Sequence, residues 1–219
     1  MKKNINIISR ASSLAKIQAQ MVGSAILQKY PKMSLNYIST RTSGDINQNL
    51  DISNSPTIGV FTSDISDKVA NDEDSIAVHS WKDFPIEDNK KTNIYSTLKR
   101  ADMRDMLFLK TELKNLKYID ELTIMTSSPR RRYALETNLA DLIPVSFGKI
   151  NFIDTRGNID TRLKKFIKGK THGIIVAKAA IDRILEYEKS NDIKTSPIQI
   201  CINASQWMVL PLSLFPSAP

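Results

Sequence analysis

The stretch Asn4-Ile5-Asn6-Ile7-Ile8-Ser9-Arg10-Ala11-Ser12-Ser13-Leu14 decides the fold, because one kind of element gives way to another within it. Ile5, Ile7 and Ile8 form a short apolar run that predicts a strand ending at Ser9-Arg10. Ser12 and Ser13 are then candidate caps for a helix whose Leu14, Ile17, Met21, Ala25 and Ile26 recur at helical spacing. A strand that feeds a helix directly is the first half of a βαβ unit. Ser34 to Thr40, with Leu35 and Tyr37 alternating with polar residues, predicts the next strand; Ser63 to Asn71 predicts a short helix and Ser75 to His79 a buried strand.

Past the charged residues from Lys99 to Arg104 the rhythm restarts. Strands are predicted at Met106 to Leu109, Leu122 to Thr126, Ile150 to Ile153 and Ile174 to Ala177. Helices are predicted at Arg130 to Leu142, Ile159 to Lys168 and Ala179 to Ser190, the last with Ile181, Ile184 and Leu185 on one face. Such alternation predicts an α/β fold with largely parallel sheets and helices on both sides. A polar segment from Asn191 to Pro197 precedes an apolar tail, Ile198 to Phe215, that reads as a final edge strand. No internal sequence repeat is visible.

The chain has 219 residues, 41% of them hydrophobic, enough for a real core in one large domain or in two of about 100 residues each. Its apolar runs fall far short of the roughly 20 residues that cross a bilayer. The N-terminus turns polar at Asn4 and Asn6, without the apolar centre of a secretory signal, so the chain reads as cytoplasmic. The single cysteine, Cys201, excludes an internal disulfide, and two histidines with one cysteine give no metal-ligand spacing, so no metal is expected. A formal charge of +8 suits nucleic acid or a polyanionic small molecule, and a solvated lysine-rich surface equally well.

In open α/β sheets, ligands bind outside the carboxyl ends of the strands, where loops and helix N-termini converge. Five predicted strand ends carry hydroxyl or basic side chains: Ser9-Arg10-Ala11-Ser12, Thr42-Ser43-Gly44-Asp45, His79-Ser80-Trp81-Lys82-Asp83, Thr126-Ser127-Ser128-Pro129-Arg130-Arg131 and Thr155-Arg156-Gly157-Asn158. Ser128-Pro129 is a strong helix start, with serine as cap and proline at the first helical position. Arg130, Arg131 and Arg132 then place positive charge at the positive end of the helix dipole, unfavourable by up to about 1 kcal/mol each. Either they await an anion, or they splay into water or pair with Asp and Glu elsewhere. Arg10, Arg156, Arg162 and Arg183 stand near other element ends, and the planar guanidinium grips carboxylates bidentately, so a convergence would fit a polycarboxylate.

Lys82-Asp83 reads as a catalytic pair, the carboxylate steadying a developing cation or relaying a proton, or as a surface ion pair. His79 reads as a satisfied structural histidine and His172 as an exposed loop residue. Trp81 and Trp207 lack the spacing of a base-stacking platform and are assigned to packing. Cys201 reads as a buried small residue rather than a nucleophile.

These segments, in this order, resemble the porphobilinogen deaminase (hydroxymethylbilane synthase) family over essentially the whole chain. Ile76-Ala77-Val78-His79-Ser80-Trp81-Lys82-Asp83-Phe84-Pro85 is similar to the family's Asp-Ile-Ala-Val-His-Ser-x-Lys-Asp-x-Pro. Thr155 to Leu163 is similar to Arg-Gly-Asn-x-x-Thr-Arg-Leu, Thr126 to Arg131 to Thr-Ser-Ser-x-Arg-Arg, and Arg100 to Asp105 to Arg-x-Asp-x-Arg-Asp. The resemblance implies a transferase of tetrapyrrole (haem) biosynthesis that joins four porphobilinogen molecules head to tail with loss of ammonia, on a covalently attached dipyrromethane cofactor. It implies two doubly wound domains resembling type II periplasmic binding proteins, with a ligand cleft between them. One would comprise residues 1–98 plus 198–219, the other 99–197.

By the same resemblance Asp83 is catalytic. Lys82, Ser80, Thr126, Ser127, Ser128, Arg130, Arg131, Arg156, Gly157 and Arg162 hold the cofactor, and Arg10, Ser12 and Arg183 hold the substrate. Three departures stand out. Pro56-Thr57-Ile58-Gly59-Val60-Phe61 replaces a Gly-Gly-Lys-Gly-x-Phe loop, and Pro129 replaces a common leucine. The family's continuation after Pro219, a Gln-Gly-Ala stretch and a C-terminal α+β third domain with the cysteine of cofactor attachment, is expected to be absent; Cys201 lacks that cysteine's surroundings. The expectation is a monomer acting on carboxylate-bearing pyrroles and binding neither nucleic acid nor membrane. Its rivals are a non-enzymatic two-domain binder of a small polycarboxylate and, more weakly, a nucleic-acid binder whose affinity falls steeply with salt.

Overall fold

The computed structural model describes residues 4–41, 63–84 and 91–216, so the loop at 56–61, the strand end at 42–45 and Pro85 lie outside the described residues. The chain divides into two compact units, residues 1–99 and 100–219.

In the first unit β1 (Asn4–Arg10) is the middle strand, parallel to β2 (Ser34–Thr40) on one side and to β3 (Ser75–Ala77) on the other. Its burial explains that position: Ile7, Ile8 and Ser9 are all buried, whereas β2 is half exposed. Ile7 lies opposite Tyr37 in one neighbour and Ile76 in the other. Two helices accompany the sheet, α1 (Ser13–Lys29) and α2 (Ser63–Ala70), contributing Ile17, Ala19 and Ile65 to the core. The order β2-β1-β3 means the chain leaves β1 first to one side and later returns to the other, which makes the carboxyl end of β1 a switch point. Beyond β3, Val78 N–H still donates to the Ile8 carbonyl at 2.9 Å, and His79 lies past the ladder.

The second unit carries a five-stranded sheet in the order β6-β5-β7-β4-β8, built from β4 (Asp105–Lys110), β5 (Tyr118–Met125), β6 (Ser146–Ile153), β7 (Gly173–Ala177) and β8 (Ser205–Val209). Its helices are α3 (Pro129–Asn138), α4 (Ile159–Lys168), α5 (Lys178–Ser190) and α6 (Pro197–Ala204). The sheet is mixed rather than largely parallel: β6, β5 and β7 run parallel, while β4 is antiparallel to both β7 and β8. Asp105 to Leu109 are buried without interruption, as a strand between two neighbours requires. The parallel part, β6-β5-β7, repeats the order β2-β1-β3, so β5 followed by α3 stands where β1 followed by α1 stands in the first unit. Both helices are capped by a serine, Ser12 accepting from Ala15 N–H and Ser128 from Arg131 N–H.

Two expectations are corrected here. The tail is not a single edge strand: Ser196 caps α6, accepting from Gln199 N–H at 3.2 Å, and only residues 205–209 extend. Nor does 198–219 join the first domain. β8 pairs with β4, and Leu210 and Phe215 are fully buried with Leu107, Leu122, Ile124, Leu135 and Leu139 in the second unit's core. β5 and β6 also start earlier than expected, at Tyr118 and Ser146, because their first residues are largely exposed and lack an apolar run. Among the described residues no helix is long and apolar enough to cross a membrane.

Candidate active site

In the first unit Arg10 ends β1, Ser12 follows it as the cap of α1, and Ser80, Lys82 and Asp83 lie just beyond β3; of these the structure brings Arg10 to Asp83. β1 delivers Arg10 half-buried, and a 3₁₀ turn over Trp81–Asp83, in which Asp83 N–H bonds the Ser80 carbonyl at 2.9 Å, brings Asp83 back to it. Arg10 Nη1 lies 3.5 Å from Asp83 Oδ2, with the two side chains 21% and 23% exposed. That is a loose ion pair, longer than a well-made N–H···O bond, and it holds a carboxylate half out of water. His79 lies behind it, edge-on to Phe84, and its Nε2 is buried with no hydrogen-bond partner among the described residues. Burial pushes the imidazole below its usual pKa, the Asp83 charge partly opposes this, and Arg10 adds to it. The expectation of a satisfied structural histidine therefore fails. Ser80 donates to Gln18 Oε1 at 2.9 Å, Lys82 is exposed, and Trp81 is not packed away: it is 60% exposed and stacked on Phe84.

In the second unit the ends of β5 and β6 are stapled together. Ser127 Oγ donates to the Thr155 carbonyl at 3.0 Å and accepts from Thr155 N–H at 2.9 Å; Thr126 Oγ1, fully buried, accepts from Ser128 N–H. These hydroxyls build the scaffold. Ser128 acts as α3's cap through its oxygen, which leaves its proton able to serve a ligand.

The three arginines that follow meet anions of the chain itself. Arg130 Nη2 and Arg131 Nη2 share Asp105, at 2.9 Å to Oδ2 and 2.6 Å to Oδ1, and Arg132 Nη2 reaches Asp154 at 2.5 Å. Arg130 also donates to the Pro216 carbonyl. Pairing within the chain is thus the alternative realised at α3's start, yet it is incomplete. Arg131 Nε is buried without a partner among the described residues. Arg162 Nε donates to the Gly157 carbonyl at 2.8 Å; burial and the nearby Arg131 charge push its pKa down. Arg183 on α5 has a buried Nε with no partner among the described residues, and burial lowers its pKa. Gly157 holds φ +104°, where a Cβ would lie 3.0 Å from Thr161 Cγ2, and this turn aims its carbonyl at Arg162. Arg156 beside it is exposed.

Asp105 is the residue that sequence reasoning missed. It stood in the segment 100–105 without a role, and the signal was its charge directly before the apolar run Met106 to Leu109. His172 is not an exposed loop residue either. Its Nδ1 accepts from Thr123 N–H at 3.0 Å and its own N–H donates to the Thr123 carbonyl, so it ties β5 to the turn before β7. Cys201 is fully buried, with its thiol pushed up to about 11 by burial, as an inert core residue should be.

The family model described as "Porphobilinogen deaminase, dipyromethane cofactor binding domain" matches residues 5–209. Porphobilinogen deaminase of Clostridioides difficile (strain 630) is 32% identical over 203 residues, covering 90% of this chain and 65% of the relative. A probable porphobilinogen deaminase of Picrophilus torridus is 38% identical over 181 residues, covering 83% and 60%. One of Sulfurisphaera tokodaii is 37% identical over 182 residues, covering 83% and 58%. The chain spans between 58% and 65% of the length of these relatives. Among solved structures, the periplasmic aliphatic sulphonate binding protein SsuA of Escherichia coli is similar at 8% identity and a TM-score of 0.28, over 95% of this chain and 62% of that one, too distant to support an argument. The family match begins in β1 and ends with β8, taking in both sets of strand ends, and on that ground the chain belongs to the porphobilinogen deaminase family.

Proposed function

We propose that this chain supplies the catalytic carboxylate and the carboxylate-binding arginines of a porphobilinogen deaminase, joining porphobilinogen units into hydroxymethylbilane with release of ammonia. The observation that carries this is Asp83, a half-buried carboxylate held by Arg10 at a strand end, in a chain that elsewhere leaves the Nε atoms of Arg131 and Arg183 buried without a partner among the described residues. A protein that only captured polycarboxylates would gain nothing from a carboxylate at that place.

The residues fit a dipyrromethane group. Its acetate and propionate carboxylates match the demand left by the buried, unpartnered Arg131 Nε and by Arg162, with Ser128 as hydroxyl donor and Arg130, Arg156, Lys82 and Ser80 as further contacts. When bound, that group supplies the pyrrole carbon that attacks. Arg10, Ser12 and Arg183 would hold the carboxylates of the incoming porphobilinogen. Loss of ammonia from its protonated aminomethyl group leaves an azafulvene cation, which the Asp83 carboxylate stabilises by Coulomb attraction and by accepting the pyrrole N–H. Asp83 is also placed to take up the proton that the attacking pyrrole carbon would give up after the carbon–carbon bond forms. In this reading the chain works in the cytoplasm, as a monomer. Ser127 and Thr126 serve as scaffold rather than as contacts, because their oxygens are engaged within the chain.

Turnover of porphobilinogen by the full protein with Asp83→Asn tests the assignment. General acid–base and electrostatic contributions of this kind predict a loss of kcat on the order of 10² to 10⁴. Turnover within twofold of the unsubstituted protein would remove Asp83 from the chemistry.

A further inference from the structure

We propose that Asp105 is the positioning residue of the second unit's arginine cluster, its carboxylate fixing the direction in which Arg130 and Arg131 meet a carboxylate-bearing pyrrole. The ligand in this statement rests on the proposed function; the hold on the arginines does not.

Asp105 is the first residue of β4 and is 3% exposed. Its backbone is fixed from two sides: it lies opposite Ala177 in β7, and its carbonyl accepts from Leu210 N–H at 2.9 Å. The carboxylate therefore starts from a rigid place. One oxygen takes each arginine, Oδ2 with Arg130 Nη2 at 2.9 Å and Oδ1 with Arg131 Nη2 at 2.6 Å. Asp105 thus holds each guanidinium by one corner of its fork, and Arg130 Nη1 also donates to the Pro216 carbonyl. For Arg131 the remaining Nε edge stays buried and unpartnered among the described residues.

A pair that served stability alone would be expected to close its hydrogen bonds, since a buried ion pair gains over an apolar substitute only when its remaining donors are satisfied. Here the donors are left short. The charge count agrees: Arg130 and Arg131 share one carboxylate, and Arg162, which feels the Arg131 charge, has no carboxylate partner among the described residues. Without Asp105 the first turn of α3 would carry like charges that repel each other and the helix dipole, and the forks would swing apart toward water. With it they are preorganised, which removes an ordering cost from ligand binding.

Side-chain ¹⁵N NMR of the arginines and calorimetric titration with porphobilinogen, on the unsubstituted protein and on Asp105→Asn, test this. The expected result is separate, slowly exchanging Nη signals for Arg130 and Arg131 that average in Asp105→Asn, together with binding at least tenfold weaker. Binding by Asp105→Asn within twofold of the unsubstituted protein would overturn the proposal. If Asp105→Asn does not fold, the unsubstituted protein decides alone: averaged Nη signals overturn the positioning role and separate ones support it. If the unsubstituted protein binds no porphobilinogen, the functional reading falls, and the arginine signals still decide whether Asp105 holds the forks.

Discussion

His79 shows what the local sequence conveys and what only the fold adds. Its place in His79-Ser80-Trp81-Lys82-Asp83 marked a strand end with chemistry nearby, and Lys82-Asp83 was legible because a charged pair directly follows an apolar run. That Arg10 would lie 3.5 Å from Asp83 was not legible, since it depends on the pairing of β1 with β3 across some seventy residues. His79 gives this geometry a readout. Burial is the main influence and lowers its pKa below 6.5; Asp83 acts in the opposite direction. The folded state therefore binds fewer protons than the unfolded one just below pH 6.5, so the stability His79 contributes is present above that pH and is lost as pH falls toward the folded value. An NMR titration of the His79 ring should find its midpoint below 6.5, and in Asp83→Asn lower still, because the carboxylate that favours the imidazolium is gone while Arg10 remains. A midpoint that rises in Asp83→Asn would mean that the two side chains do not sense each other as the structure places them.

At the scale of elements, helix starts were the most readable features and the tail the least. Ser12, Ser128 and Asn158 cap α1, α3 and α4, each accepting from an N–H three residues on. The same grammar stands at Ser196-Pro197, yet the apolar residues after it suggested a strand, and α6 went unrecognised. Short apolar runs do not separate a buried strand from a buried helix by periodicity. The partners of the arginines on α3 were hidden for a related reason: α3's sequence shows three cations at a helix start, and their anions, Asp105 and Asp154, come from other elements. α6 has a built-in reporter in Cys201, fully buried and with a thiol pushed up to about 11. Ser196→Ala removes a cap worth about 1 kcal/mol, so opening of α6 should become roughly fivefold more frequent. The rate at which a disulfide reagent labels Cys201 under native conditions should rise by that factor. An unchanged rate would show that α6 is held by its packing and that its cap contributes little.

Across the whole molecule, the charged stretch from Lys99 to Arg104 interrupts the strand and helix rhythm, and the chain divides into units at residues 1–99 and 100–219. The destination of the last residues was not legible. β8 finds β4 across about a hundred residues, a pairing whose register no local pattern encodes, and residues 211–216 then cover the core below. Asn138 donates to the Leu214 carbonyl and Arg130 to that of Pro216, which fastens this segment onto α3, while Phe215, 1% exposed, fills the space among Leu135, Leu139 and Leu210. Phe215→Ala should therefore act as a core truncation, costing about 3 to 5 kcal/mol, rather than as a change near a chain end. For a chain of this size that lowers Tm by roughly 10 °C. The location of the effect discriminates further. Methyl NMR signals of Leu135 and Ile124 should shift in Phe215→Ala and those of Ile7 and Ile8 in the first unit should stay in place. The reverse pattern would return the tail to the first unit and, with it, withdraw Arg130's second anchor at the start of α3.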